Sequence, residues 1–200
     1  MPIELGLGTW RQQLRHVAAF DGDAKAYGHF LVDRCRDVVG SMHVRRLTDV
    51  ETATPFDCFH YRIIYQTFHG MRDVLANLAG DADTAVWPFQ YRRDRPRRVV
   101  VESCPSSTLK RLSLPHQNYK QSGGRPLEEK HRRTRREILR GLRSMVDVSP
   151  YQRGVIMNDP GGDALDAVIA AVGGYHGYRH ADHHAIARHP RYPREGFVYA

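Results

Sequence analysis

The chain has 200 residues, 41% hydrophobic and 26% charged, and a formal net charge of +8. This is enough chain to bury a core, and the composition excludes a low-complexity or disulfide-framed scaffold. No apolar run of about 18 residues and no basic-then-apolar leader occurs, so neither a membrane span nor a signal peptide is expected.

In chain order, Met1–Gly8 shows no strand pattern. Thr9 then reads as the cap of a helix carrying Trp10, Leu14, Val17 and Ala18 at helical spacing. A second helix is predicted over Ala24–Val39, with Phe30, Leu31, Cys35 and Val38 on its apolar face and Gly40 as its stop. Arg45 and Arg46 either face phosphate or pair with Asp49 and Glu51, the commoner fate of such clusters. Phe59–Leu78 reads as a long helix with a core stripe of Tyr61, Ile64, Tyr65, Phe68, Met71 and Leu75.

Thr84–Phe89 reads as a strand or sheet edge, given Pro88, and Arg92–Arg98 as a basic connection. The β-branched run Val99–Val101 fits a strand buried on both faces and closed by Glu102. Pro105 opens a helix through Leu109 and Leu112. A glutamate at a strand end is costly to bury unless paired with an arginine or bound to a metal, and both readings stand. Glu128–Met145 is a strongly basic helix with Arg132, Arg133, Arg135, Arg136, Arg140 and Arg143 around an inward face of Ile138, Leu139 and Leu142. It is either a solvated face or a surface that tracks phosphates. Val155–Met157 is a short strand or apolar turn.

Gly161–Gly162 turns the chain into an apolar helix, Asp163–Val172, with Asp163 and Asp166 on one surface of its first turn. Each aspartate alone is explained by helix capping and by the dipole. Beyond Gly173–Gly174 lie His176, His180, His183, His184 and His189, partly at i, i+4 spacing that suits a metal on a helix. Gly177, Arg179 and the following prolines argue against a regular helix there, so a surface histidine cluster is the simpler reading. Glu195–Tyr199 closes the chain as a small strand.

If the Val99–Glu102 strand end meets the Asp163 helix, Glu102, Asp163 and Asp166 form an all-oxygen set suited to Mg²⁺ or Mn²⁺. Two such ions can activate water against a phosphodiester, with Lys110, Lys120 and Arg136 contacting the phosphates. The segments Val99–Lys110, Tyr119–Lys120, Gly161–Ala171 and Glu195–Val198 resemble successive blocks of the predicted nuclease family called domain of unknown function 429. The resemblance covers roughly residues 85–200. It implies an RNase H-like mixed sheet flanked by helices; the length suits one such α/β domain over residues 1–200, whose first 80 residues read as mostly helical. The resemblance also implies Glu102 as the strand carboxylate and Asp163 and Asp166 as the helix pair; Lys120 is expected beside them as a catalytic cation that neutralises charge on the phosphate. Such folds open with a β-meander that bears a further aspartate. None is apparent here, so either the start of the chain is placed too late or the sheet is N-terminally incomplete.

The function expected first is a Mg²⁺- or Mn²⁺-dependent nuclease acting on nucleic acid. Two alternatives are a non-catalytic basic binding or structural domain and a histidine-tail metal binder. Three separated cysteines (Cys35, Cys58, Cys104) suit reduced thiols in a cytoplasm.

Overall fold

A computed structural model describes residues 6–92, 94–121, 123 and 125–200. Helices dominate it: α1 (Trp10–Ala18), α2 (Ala24–Val39), α3 (Leu47–Glu51), α4 (Ile64–His69), α5 (Ala76–Leu78), α6 (Pro105–Arg111), α7 (Glu129–Gly141), α8 (Pro150–Asn158), α9 (Asp163–His180), α10 (His183–Arg188) and α11 (Tyr192–Glu195). Two strands, β1 (Thr84–Val86) and β2 (Arg98–Val100), pair in parallel with Ala85 opposite Val99. None of the described helices is long and apolar enough to cross a membrane.

The expected RNase H-like mixed sheet is therefore corrected: among the described residues the sheet is two strands of three residues each. The valine run does not continue as a strand buried on both faces. Arg98 is exposed, and Val99 and Val100 are only half-buried. Helix faces do the burying instead, so no wide sheet is required to build a core.

The described chain divides into two compact units. One runs to Glu102 and takes back Ala181–Val198; the other comprises Ser103–His180 with Tyr199–Ala200. In the first, Val17, Tyr27, Leu31, Cys35, Phe59, Ile64 and Phe68 form one cluster, and Trp10, Leu14, Ala79 and Val86 another. Local chemistry sets these helices. Thr9 and Gln12 cap α1 reciprocally. Gly40 ends α2 at φ 69, a conformation that glycine adopts without steric cost.

The stripe expected over Phe59–Leu78 is only partly right. Ile64 and Phe68 are buried, but Tyr61 and Tyr65 are exposed. Regular helix begins at Ile64, and Gly70–Leu75 is a π-helical segment that shifts the register before α5. On α2, Phe30 and Val38 likewise prove exposed.

The second unit is built around Leu109, Ile138, Leu142, Ile156, Leu165, Ile169 and Val172. Val155–Met157 is neither strand nor turn but part of α8, capped by Ser149 with Pro150 in its first turn. The acidic helix also outruns its expected end at Val172: α9 continues through Gly173, Gly174 and Gly177 to His180. These glycines allow close approach. A Cβ at Gly173 would lie 1.9 Å from Thr108 Oγ1 of α6, and one at Gly177 would meet the backbone of Tyr199 and Ala200 at 2.9–3.1 Å.

Candidate functional site

The mouth of α9 is shaped before its aspartates are reached. Gly162 sits at φ +80, and a Cβ there would lie 2.9 Å from Lys120 Cγ. The cap is Asp159, four residues before Asp163. Its carboxylate accepts the Ala164 N–H at 2.9 Å. That bond, with others from neighbouring backbone amides, holds its pKa below the usual carboxylate value. Asp163 is exposed on the first turn.

Asp166 is committed. Its Oδ1 accepts the Tyr119 hydroxyl at 2.9 Å, and its Oδ2 is ion-paired with Lys120. Tyr119 is buried, which raises its pKa well above the usual phenol value, and the adjacent Asp166 charge raises it further. So Lys120, Asp163 and Asp166 do gather at one end of α9.

Glu102 belongs to the other unit, where its backbone bridges in parallel to Val198. Both its carboxylate oxygens accept from Arg46, each at 2.7 Å. The same guanidinium also donates to buried Asp49, from Nε at 3.0 Å and Nη2 at 2.7 Å, and to the Glu195 carbonyl at 3.1 Å. Burial opposes the guanidinium charge, but Glu102 and Asp49 outweigh it and hold the Arg46 pKa well above its ordinary value. Of the two readings of Glu102, the arginine pair is the one observed. Among the described residues no three His, Cys, Asp or Glu side chains converge as metal ligands.

The basic helix α7 sorts its arginines into two sets. Arg135 is fully buried, donating from Nε to the Tyr119 carbonyl at 2.6 Å, from Nη1 to Ile156 O and from Nη2 to Pro160 O at 3.3 Å. Arg132 donates to the Met157 carbonyl at 3.0 Å. Together they satisfy carbonyls of the last turn of α8, which have no intrahelical partner. Arg133, Arg136 and Arg140 are exposed and, spaced i, i+3, i+7, share the opposite face; Arg143 follows just beyond the helix. Arg136 pairs with Glu129 at 2.7 Å. Lys110 lies half-buried in the last turn of α6.

The sequence reading missed Asp159 as a cap and Arg135 as a core residue. The latter carried a signal: His131, Arg135, Ile138 and Leu142 share one helical stripe, and all are buried. In the tail, His176 and His180 do lie on a continuous helix, with rings stacked 5.4 Å apart. His180 Nδ1 is 2.8 Å from the His176 carbonyl and donates to it. His183, His184 and His189 belong to the other unit. No family model matches the chain, and neither the curated proteins nor the solved structures give a match.

Proposed function

We propose that the chain is a nucleic-acid-binding protein that contacts the phosphate backbone through the exposed arginine face of α7. One observation carries this reading: buried Arg135 and half-buried Arg132 hold the fold, while Arg133, Arg136, Arg140 and Arg143 are left on the surface. Residues 128–143 contain seven Arg and Lys against three Glu. A face of this kind gathers phosphates by releasing counterions, without reading base sequence. The test is fluorescence anisotropy with labelled RNA and DNA across a salt series. Binding is expected to weaken with salt on a log–log line, by a slope of about −0.9 per duplex phosphate contacted. The R133E/R140E double variant is expected to bind at least about tenfold more weakly with a shallower slope, since each arginine supplies a charge-assisted contact. Unchanged affinity in that variant rejects the reading.

A second reading is phosphodiester hydrolysis with Mg²⁺ or Mn²⁺ at Asp163 and Asp166. It is favoured by the exposure of Asp163 beside Asp166 and Lys120. The carboxylates do not fit a two-ion centre as they stand, because both oxygens of Asp166 and both of Glu102 are already occupied. Cleavage of RNA or DNA that needs either ion and is lost in Asp166→Asn would restore it; equal activity in the variant removes it.

A further inference from the structure

The first unit contains a hollow of about 350 Å³ beside the turn that follows β1, lined chiefly by Arg11, Pro88, Phe89, Tyr91, Arg92 and Pro193. The volume falls at the lower end for small-molecule sites, roughly 300–1,000 Å³.

The walls are fixed by contacts that leave the hollow open. Gln90 Oε1 accepts the Val86 N–H at 2.9 Å and its Nε2 donates to the Ala79 carbonyl at 3.0 Å, which locks the turn. Phe89 stacks on Trp10 of α1, with ring centroids 4.9 Å apart and planes 12° from parallel. Gln13 of α1 donates to the Arg194 carbonyl at 2.7 Å, next to the lining residue Pro193. Binding to a preset hollow costs less ordering than binding to a mobile one.

The rim carries two exposed guanidinium groups, Arg11 and Arg92, and neither has a carboxylate within ion-pair range among the described residues. Arg11 lies 5.7 Å from the Trp10 ring centroid. Two cations bordering aromatic and proline walls ask for a ligand with an anionic end and a flat apolar body. Guanidinium suits phosphate by charge and by its planar fork of donors, and an aromatic base suits the ring walls.

We propose that this hollow binds a nucleoside 5′-monophosphate group, with the phosphate on Arg11 and Arg92 and the base against Tyr91 and Phe89. The group is supplied either by a free nucleotide or by the 5′-phosphorylated end of a strand. The site is separate from the arginine face of α7 and does not depend on it.

Calorimetric titration of the full chain with adenosine 5′-monophosphate tests this, with adenosine and inorganic phosphate as the separated halves. The monophosphate is expected to bind at least about tenfold more tightly than either half. Arg11→Gln and Arg92→Gln are each expected to lose about tenfold, about 1.4 kcal/mol, since each removes a charge-assisted bond. Both positions are exposed, and an unchanged melting temperature verifies that each variant folds. R133E/R140E is expected to keep full affinity for the monophosphate, which separates this site from α7. Monophosphate binding no tighter than phosphate alone, or equal binding by both arginine variants, overturns the proposal. A 5′-phosphorylated tetranucleotide that competes better than its 5′-hydroxyl counterpart assigns the site to strand ends; failure of both to compete assigns it to free nucleotide.

Discussion

Arg46 shows how far one side chain organises its surroundings. Every edge of its guanidinium is occupied: two oxygens of Glu102, two of Asp49 and a backbone carbonyl. Asp49 is 1% exposed, so removing its cation leaves a buried charge unpaired. Arg46→Met is expected to cost about 3–5 kcal/mol, read from urea unfolding. A loss under about 1 kcal/mol, the range of an exposed pair, would show that water already screens the cluster. Beside it, burial pushes the Cys58 thiol up to about 12, and burial with the Glu51 hydrogen bond pushes the Tyr192 phenol up to about 12. For both groups the folded state holds its proton longer than the unfolded chain, whose values lie near 9 and 10. Their contribution is therefore complete below pH 9 and is lost as pH rises toward 12. Urea midpoints across pH 7–11 should be flat at first and fall above about 9; a steady rise through that window would contradict both assignments. At this scale the sequence carried half the story. Arg46 with Asp49 was foreseeable from i, i+3 spacing, whereas Glu102, 56 residues away, met its arginine only through the fold.

Among elements, α7 and α9 divide their residues most sharply between packing and surface. The two arginine sets of α7 predict opposite behaviour in one assay. Arg133→Gln should leave the melting temperature nearly unchanged, whereas Arg135→Leu should lower it sharply. The second loses bonds to the carbonyls of Tyr119, Ile156 and Pro160 and leaves those acceptors unsatisfied, at roughly 1–3 kcal/mol each. Equal melting of the two variants would erase the distinction. In α9, Gly173→Ala places a methyl group against Thr108, and overpacking of this kind costs about 1–3 kcal/mol. The double variant Gly173→Ala with Thr108→Ala should recover part of that loss in thermal melts. No recovery would mean that Thr108 does not set the spacing. Periodicity made α1, α2 and α7 legible, because each has a cap or an apolar stripe that stands alone. It failed at Gly173–Gly174, where glycine serves packing between helices, and at Tyr61 and Tyr65, where amphipathic rings occupy stripe positions yet face water. It failed too at Val99–Glu102, since a β-branched run reports a preference for extended chain but not how many strands will join it.

At the scale of the whole molecule, neither unit is continuous in sequence. The first needs residues 181–198: Val198 N–H donates to Thr48 Oγ1 at 2.9 Å, Tyr192 hydrogen-bonds Glu51, and Gln13 reaches Arg194. The second takes back Tyr199 and Ala200, whose backbone lies against Gly177. A chain ending at His180 is expected to lose the cooperative urea transition of the intact protein, with rapid proteolysis of residues 6–102. An unaltered transition would show that the returning segment is an accessory.

This closing segment has a consequence for synthesis. The ribosome releases the chain from its N-terminus, at about 5–20 residues per second. Thr48, Glu51 and Glu102 are thus made long before their partners Tyr192 and Val198 exist. For that interval the nascent first unit exposes unfinished surface, and its last native contacts form only after Val198 has emerged.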